Sequence, residues 1–298
     1  MKCVYIYNPK SGKQKNAKIV GYVEKRLKEK FDIVDVMPTG QRGDAHRFAL
    51  NACGKYDVLV VSGGDGTLNE IINAISNEEN RPSIGYIPTG TTNDLAHSLK
   101  IPKNVKKAVN IILCGNHVKH DIFQVNNHYG IYVCAFGLFT ESSYTASFKN
   151  KKKFGKLAYY FSGIKEIGAI NKFPILLSTN VLKIEENIVL GIIANSRYVS
   201  GYKINKMANC SDGYVNVILF KENKRKGISL RMLFKILKLF LFGLTTLKNS
   251  KDCVVLKLNN FSVKLADNIA INLDGEKGQS GSFDFKVLKQ HVNIFVKG

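Results

Sequence analysis

From residue 1 to about 122, short apolar runs rich in β-branched and aromatic residues alternate with longer stretches of helical periodicity. The runs fall at 3–7, 32–36, 57–62 and 83–87, and the helical stretches at about 13–30, 43–53, 67–77, 92–99 and 104–115. This alternation predicts a parallel sheet with helices on both faces. Such sheets bind ligands beyond the carboxyl ends of their strands, and polar, glycine-rich turns collect there. They are Asn8-Pro9-Lys10-Ser11-Gly12, Pro38-Thr39-Gly40, Ser62-Gly63-Gly64-Asp65-Gly66-Thr67 and Pro88-Thr89-Gly90-Thr91-Thr92-Asn93-Asp94.

After residue 122 the pattern changes. Runs at 119–126 and 129–137 flank Asn126-Asn127-His128, which predicts a hairpin. Further β-type runs at about 175–184, 187–195, 213–220, 253–258, 261–265, 268–273, 283–287 and 292–296 predict an antiparallel sandwich or barrel. Helical insertions are expected at about 155–170 and 228–247. The chain therefore divides into an α/β unit over 1–122 and a β unit over 123–282, with the tail 283–298 able to pack back on the first.

Composition changes this picture in one respect. Hydrophobic residues make up 45% of the 298 positions and charged residues 22%, which excludes general disorder. With 44 Lys and Arg against 23 Asp and Glu, however, the chain carries +21. That excess points to an anionic partner: nucleic acid, nucleotide phosphate or an acidic membrane. The cysteines at 3, 53, 114, 134, 210 and 253 form no CxxC pair and read as reduced thiols. The amino terminus runs directly into a strand without the apolar core of a signal peptide. The longest charge-free stretch of the most apolar region, 239–247, is far short of the ~20 residues a spanning helix needs. A cytoplasmic protein with at most peripheral membrane contact is expected.

The loops suggest their own chemistry. In Val60-Val61-Ser62-Gly63-Gly64-Asp65-Gly66-Thr67 a β run stops at glycines that admit positive φ and let backbone N–H groups approach an anion. Thr67 with Glu70 has capping-box spacing, and a helix amino terminus there would face a phosphate. Phosphate would repel Asp65 unless a cation bridged them, which implies Mg²⁺. The first loop lacks Walker spacing, but Lys10 and Lys13 can neutralise phosphate. Asn93 and Asp94 can serve as helix caps or as ligands.

Taken together, Asn-Pro-x-Ser-Gly, Gly-Gly-Asp-Gly-Thr-Leu-Asn-Glu and Gly-Thr-Thr-Asn-Asp resemble the diacylglycerol kinase catalytic family, most closely its soluble bacterial lipid kinases, which are related to sphingosine and ceramide kinases. Gly137-Leu138-Phe139-Thr140-Glu141, Lys156-Leu157-Ala158-Tyr159-Tyr160, Ser211-Asp212-Gly213-Tyr214 and Leu273-Asp274-Gly275-Glu276 look like later motifs of that family. The resemblance implies a Rossmann-like ATP-binding domain and a β-sandwich domain that receives the lipid. It places Asn8, Pro9, Lys10, Ser11, Gly12, Thr39, Gly64, Asp65, Gly66, Thr67, Leu68, Asn69, Glu70 and Thr91 around ATP. It assigns Asp65, Asp94 and Asp121 to a carboxylate network holding Mg²⁺ through water, with Asp65 in the catalytic centre. Glu276 would be the base that takes the lipid hydroxyl proton, although Asp-Gly-Glu-Lys-Gly also reads as a plain exposed turn. Asn209, Asp212 and Tyr214 would hold a second, structural Mg²⁺ through one carboxylate and two carbonyls, or form only a turn before a strand.

The remaining charge concentrates at 149–153 and 221–251 beside large apolar side chains. Arg231, Lys235 and Lys238 share one face of the helix expected at 228–247, a pattern suited to an anionic lipid interface or to a core helix with a solvated face. The reading that results is an ATP-dependent lipid kinase acting on a lipid hydroxyl, first that of diacylglycerol. It would work at the inner face of the membrane, without a nucleic-acid partner, possibly as a homodimer. Alternatives are another lipid acceptor, NAD kinase activity, or a non-enzymatic basic binding protein.

Overall fold

The structure is a computed structural model that describes residues 1–138, 172–222, 228–247 and 249–298. The expected insertion at 155–170, the basic patch at 149–153, the motif at 156–160 and residues 139–141 of another motif lie outside the described residues.

The first unit alternates β1 (Lys2–Tyr7), α1 (Ser11–Leu27), β2 (Ile33–Pro38), α2 (Asp44–Ala52), β3 (Val58–Gly63), α3 (Asp65–Ile75), β4 (Ser83–Pro88), α4 (Asp94–Ser98) and α5 (Val105–Cys114). Its strands run parallel in the order β4-β3-β1-β2. The side chains of β3 are buried at every position, as expected of a strand covered on both faces.

The described remainder is antiparallel: β5 (His117–Val125), β6 (His128–Gly130), β7 (Val133–Gly137), β8 (Phe173–Ser178), β9 (Lys183–Ala194), β10 (Val215–Lys221), β11 (Cys253–Leu258), β12 (Asn260–Lys264), β13 (Ala270–Leu273), β14 (Glu276–Ser280) and β15 (Phe283–Phe295). α6 (Leu230–Phe242) is its one long described helix, followed by a 3-10 turn at Leu244–Thr246. The core of this unit includes the stack Phe123–Phe285–Phe261, with ring centroids 5.0 and 4.8 Å apart.

β15 joins the two units. It pairs antiparallel with β5 and β12, and parallel with β4 through Ile294 and Ile84. The two runs expected at 283–287 and 292–296 are this single strand. The polar interruption between them is a register shift in which Gln290 takes φ 53°. β14 was not anticipated, because Glu-Lys-Gly-Gln-Ser shows no apolar alternation. Asn126-Asn127 does turn a hairpin, pairing Val125 with His128.

The basic face expected on α6 is largely spoken for. Arg231 and Lys235 both pair with Asp252, at 2.9 and 2.8 Å. Met232, Ile236 and Leu239 enter the core, while Leu230, Phe234, Leu241 and Phe242 stay exposed.

Candidate active site

The four strand-end loops of the first unit are bonded to one another. Asn8 N–H donates to Ser62 O (3.0 Å), Thr39 N–H to Tyr7 O (2.9 Å) and Thr89 N–H to Gly63 O (2.9 Å). Within the first loop Asn8 Oδ1 accepts from Lys10 N–H, and Ser11 Oγ lies 3.1 Å from Thr89 Oγ1. The third and fourth loops touch backbone to backbone: a Cβ on Gly90 would sit 2.5 Å from Gly64 Cα. This approach, rather than a left-handed conformation, is what the glycines permit, since none of Gly63, Gly64 and Gly66 has positive φ.

α3 begins earlier than the capping-box spacing suggested. Gly64, extended at φ −96° and ψ −172°, is its N-cap, so Thr67 lies inside the first turn and no side chain caps the helix. The glycine N-cap brings no side-chain acceptor to the first turn, where the positive end of the helix dipole lies. Glu70 Oε2 accepts instead from Gly43 N–H in the β2–α2 loop. Leu68 faces the core, and Asn69 Nδ2 donates to Asp274 Oδ2 (3.0 Å). Thr91 O accepts from the Lys103 ammonium.

Asp65 binds the start of α4: Oδ2 accepts from Asn93 N–H (2.7 Å) and Oδ1 from Asp94 N–H (2.8 Å). Asn93 is the left-handed N-cap of α4 (φ 56°); its side chain, rather than capping, receives Tyr86 O–H and donates to Gly90 O. Asp94 in turn accepts from Ser200 and Gly201 N–H, both 2.6 Å, and so ties the first unit to the second. Burial raises the Asp65 pKa against the pull of these amides, and together Asp65 and Asp94 help push Tyr86 far up. Asp65 makes no ion pair with Lys or Arg among the described residues.

Asp121 has its own set of partners. It lies inside β5 rather than at its start, fully buried, accepting from Gly213 N–H (2.7 Å) and from Gln290 N–H (2.6 Å). Its pKa is raised by burial and by the charge of Asp212, and is drawn down by its amide donors and by Lys289. Asp212 belongs with it; Tyr214 N–H donates to Asp212 Oδ1 and the Lys257 ammonium lies 2.7 Å from Oδ2. Asn209 Oδ1 accepts from Ser211 N–H.

Glu276 opens β14 at a wide cleft of about 900 Å³ lined by Arg42, His46, Gly66, Asn69, Glu70, Asn73, Asn77, His128 and Lys277 among others. Its Oε1 lies 3.4 Å from where a Cβ on Gly66 would be, beside the open amino terminus of α3. Arg42 faces its Oε2 at 3.9 Å. The turn carrying Glu276 is held by Asp274, which the plain-turn reading left on the surface. Asp274 is in fact buried, with φ 51°, and accepts from Ile131, Tyr132 and Val133 N–H (2.7, 2.9 and 2.9 Å) besides Asn69. Tyr132 O–H caps its carbonyl. Burial raises the Asp274 pKa to about 6 despite four donors. Sequence reading missed Arg42 and the anchoring role of Asp274; the only local signal for the latter was its place two residues before Glu276.

A Rossmann-type sheet edge with a helix amino terminus, two amide-bound carboxylates and a facing glutamate fits a nucleotide-dependent phosphotransferase. Comparison with known proteins makes the class specific. Residues 2–125 match the diacylglycerol kinase catalytic domain. The chain is 31% identical over 292 residues to a diacylglycerol kinase of Staphylococcus carnosus (strain TM300), covering 97% of this chain and 93% of that one. It is 29% identical, over 97% of this chain and 94% of the other, to a diacylglycerol kinase of Bacillus subtilis (strain 168). A crystal structure described as "a putative diacylglycerol kinase from Bacillus anthracis str. Sterne" superposes with a TM-score of 0.85 at 25% identity, covering 99% of this chain and 95% of that one. The chain belongs to the diacylglycerol kinase family: it is a lipid kinase, with ATP as its co-substrate. Among the described residues no helix is long and apolar enough to cross a membrane.

Proposed function

We propose that the protein transfers the γ-phosphoryl group of ATP to the free hydroxyl of diacylglycerol, giving phosphatidic acid. The observation that carries this reading is the position of the Glu276 carboxylate at the uncapped amino terminus of α3, across the cleft from Arg42. A base beside a phosphate-binding helix end is what transfer to a hydroxyl requires. The acceptor oxygen bonds to the γ-phosphorus as the bond to the β-bridging oxygen breaks. The hydroxyl proton passes to Glu276, and ADP leaves with the electron pair.

In this reading the phosphates lie against the first turn of α3 and the Asn8–Gly12 loop, with Thr39 and Thr91 at the neighbouring strand ends. Asp65 is the carboxylate best suited to Mg²⁺. It is half-buried, its oxygens meet amides as donors, and a hard cation that retains water would offset its desolvation. Mg²⁺ held there would supply charge neutralisation on the transferred group. Asp65 and Asp94 also hold the α3 and α4 ends and the 200–201 turn in one arrangement. The division of labour follows: residues 1–122 bind ATP and 123–282 receive the lipid, at the inner face of the membrane. The exposed Leu230 and Phe234 on α6, 73% and 67% accessible, support contact with a lipid surface.

The test offers labelled ATP and Mg²⁺ to the purified protein with diacylglycerol, monoacylglycerol, sphingosine, ceramide, phosphatidylglycerol or NAD in mixed micelles. Labelled phosphatidic acid is the expected product. Transfer only to another acceptor would overturn the diacylglycerol assignment.

A further inference from the structure

The family resemblance puts a structural Mg²⁺ on Asn209, Asp212 and Tyr214, and the residues around that loop disagree. Both Asp212 oxygens are engaged, one by Tyr214 N–H at 3.0 Å and the other by the Lys257 ammonium at 2.7 Å. Lys257 is placed there by the sheet. It stands on β11 opposite Asn216 of β10, in a ladder that runs from Val215–Leu258 to Phe220–Cys253. The same ammonium lies 5.2 Å from the Tyr214 ring centroid, a cation–π distance. Lys289 packs against Gly213, its Cδ 3.0 Å from where a Cβ would be, and its charge acts on Asp121. A divalent ion on Asp212 would therefore have to displace the Lys257 ammonium from a carboxylate oxygen, where Mg²⁺ needs a clear, oxygen-rich octahedron.

We infer that Lys257 is a tethered cation that takes the place of the metal ion at the 209–214 loop. A side-chain ammonium satisfies Asp212 and binds the loop to the β10–β11 ladder. The loop keeps its shape, and Gly213 its bond to Asp121, without a bound metal. The inference is independent of the lipid acceptor and of phosphoryl transfer.

The experiment follows thermal unfolding of the full chain in excess Mg²⁺ and in EDTA, without nucleotide, for the wild type, Asp212→Asn, Lys257→Met and the double variant. Mn²⁺ binding by equilibrium dialysis serves as a second readout. Wild type and Asp212→Asn should respond equally to Mg²⁺. Lys257→Met should gain an additional metal-dependent rise of roughly 2–4 °C and one further Mn²⁺ site, as expected when an ion binds only the folded chain. Both gains should vanish in the double variant. A Mg²⁺ response in the wild type that Asp212→Asn removes would overturn the inference, because the metal would then bind beside Lys257. No gain in Lys257→Met would overturn it equally, since nothing would have been displaced.

Discussion

Two pairs of carboxylates hold loops of this molecule together, and their charged surroundings differ. Asp65 and Asp94 are held by backbone amides, and Asp65 has no Lys or Arg ion pair among the described residues. Asp121 and Asp212 also collect amides, but Lys257 and Lys289 stand beside them. Amide donors stabilise a carboxylate while leaving it able to bind a hard cation through water; an ammonium at 2.7 Å competes with that cation directly. In the proposed reading Asp65 takes the metal that accompanies ATP, while Asp212 is already paired with Lys257. In a protein of +21, where the few acidic clusters lie decides which of them can still take a metal.

The comparison can be broken most severely at Asp65. Asp65→Asn preserves the side-chain shape but removes the charge, and kcat should fall on the order of 10³-fold. A kcat within a few-fold of wild type would place the metal elsewhere. At the facing wall, Glu276→Gln should lower kcat by about 10²-fold, the lower end of the range for general-base catalysis, with KM for ATP nearly unchanged. Full turnover would remove Glu276 from proton transfer.

Asp274→Asn should cost about 10-fold in kcat by loosening the turn that positions Glu276. It should also change the pH dependence of stability. The native Asp274 pKa near 6 lies above the ordinary 3.8, so its protonated form is favoured in the fold and stability falls as pH rises from about 4 to about 6. Buried His120, with its pKa pushed down to about 4 from 6.5, works oppositely: stability rises with pH across about 4 to 6.5. Without Asp274 the His120 slope stands less opposed, and urea unfolding at a series of pH values should show a steeper rise. A smaller effect is expected at Arg42, 87% exposed, where Arg42→Ala should lower kcat a few-fold and leave the melting temperature unchanged, with partial recovery in Arg42→Lys. The mildest lies outside the cleft. Leu230→Ser with Phe234→Ser should weaken sedimentation with anionic vesicles while leaving turnover on a micellar acceptor near wild type.

Much of the fold was legible because its signals are local. Glycine and hydroxyl residues after apolar runs marked the strand ends, and the hairpin at Asn126-Asn127 needed only its turn chemistry. What failed depended on distance in sequence. Asp65 meets amides 28 and 29 residues on, and Asp274 meets Ile131 across 143 residues, so nothing beside either residue tells which donors it will find. Asp-Gly-Glu in isolation is an exposed turn; burial against Tyr132 and Val133 turns its first residue into an anchor. Thr67 looked like a cap because its spacing to Glu70 is right, but the cap is the extended Gly64, three residues earlier. The basic stripe of α6 was correctly placed in sequence, yet Asp252, fourteen residues or more away, takes up two of its cations.

The most direct test measures phosphatidic acid formation against Mg²⁺ concentration for the wild type, Asp65→Asn and Asp212→Asn. The account predicts that Asp65→Asn stays nearly inactive at every Mg²⁺ concentration while Asp212→Asn follows the wild-type curve. A wild-type curve for Asp65→Asn, with the Mg²⁺ dependence lost in Asp212→Asn, would contradict it.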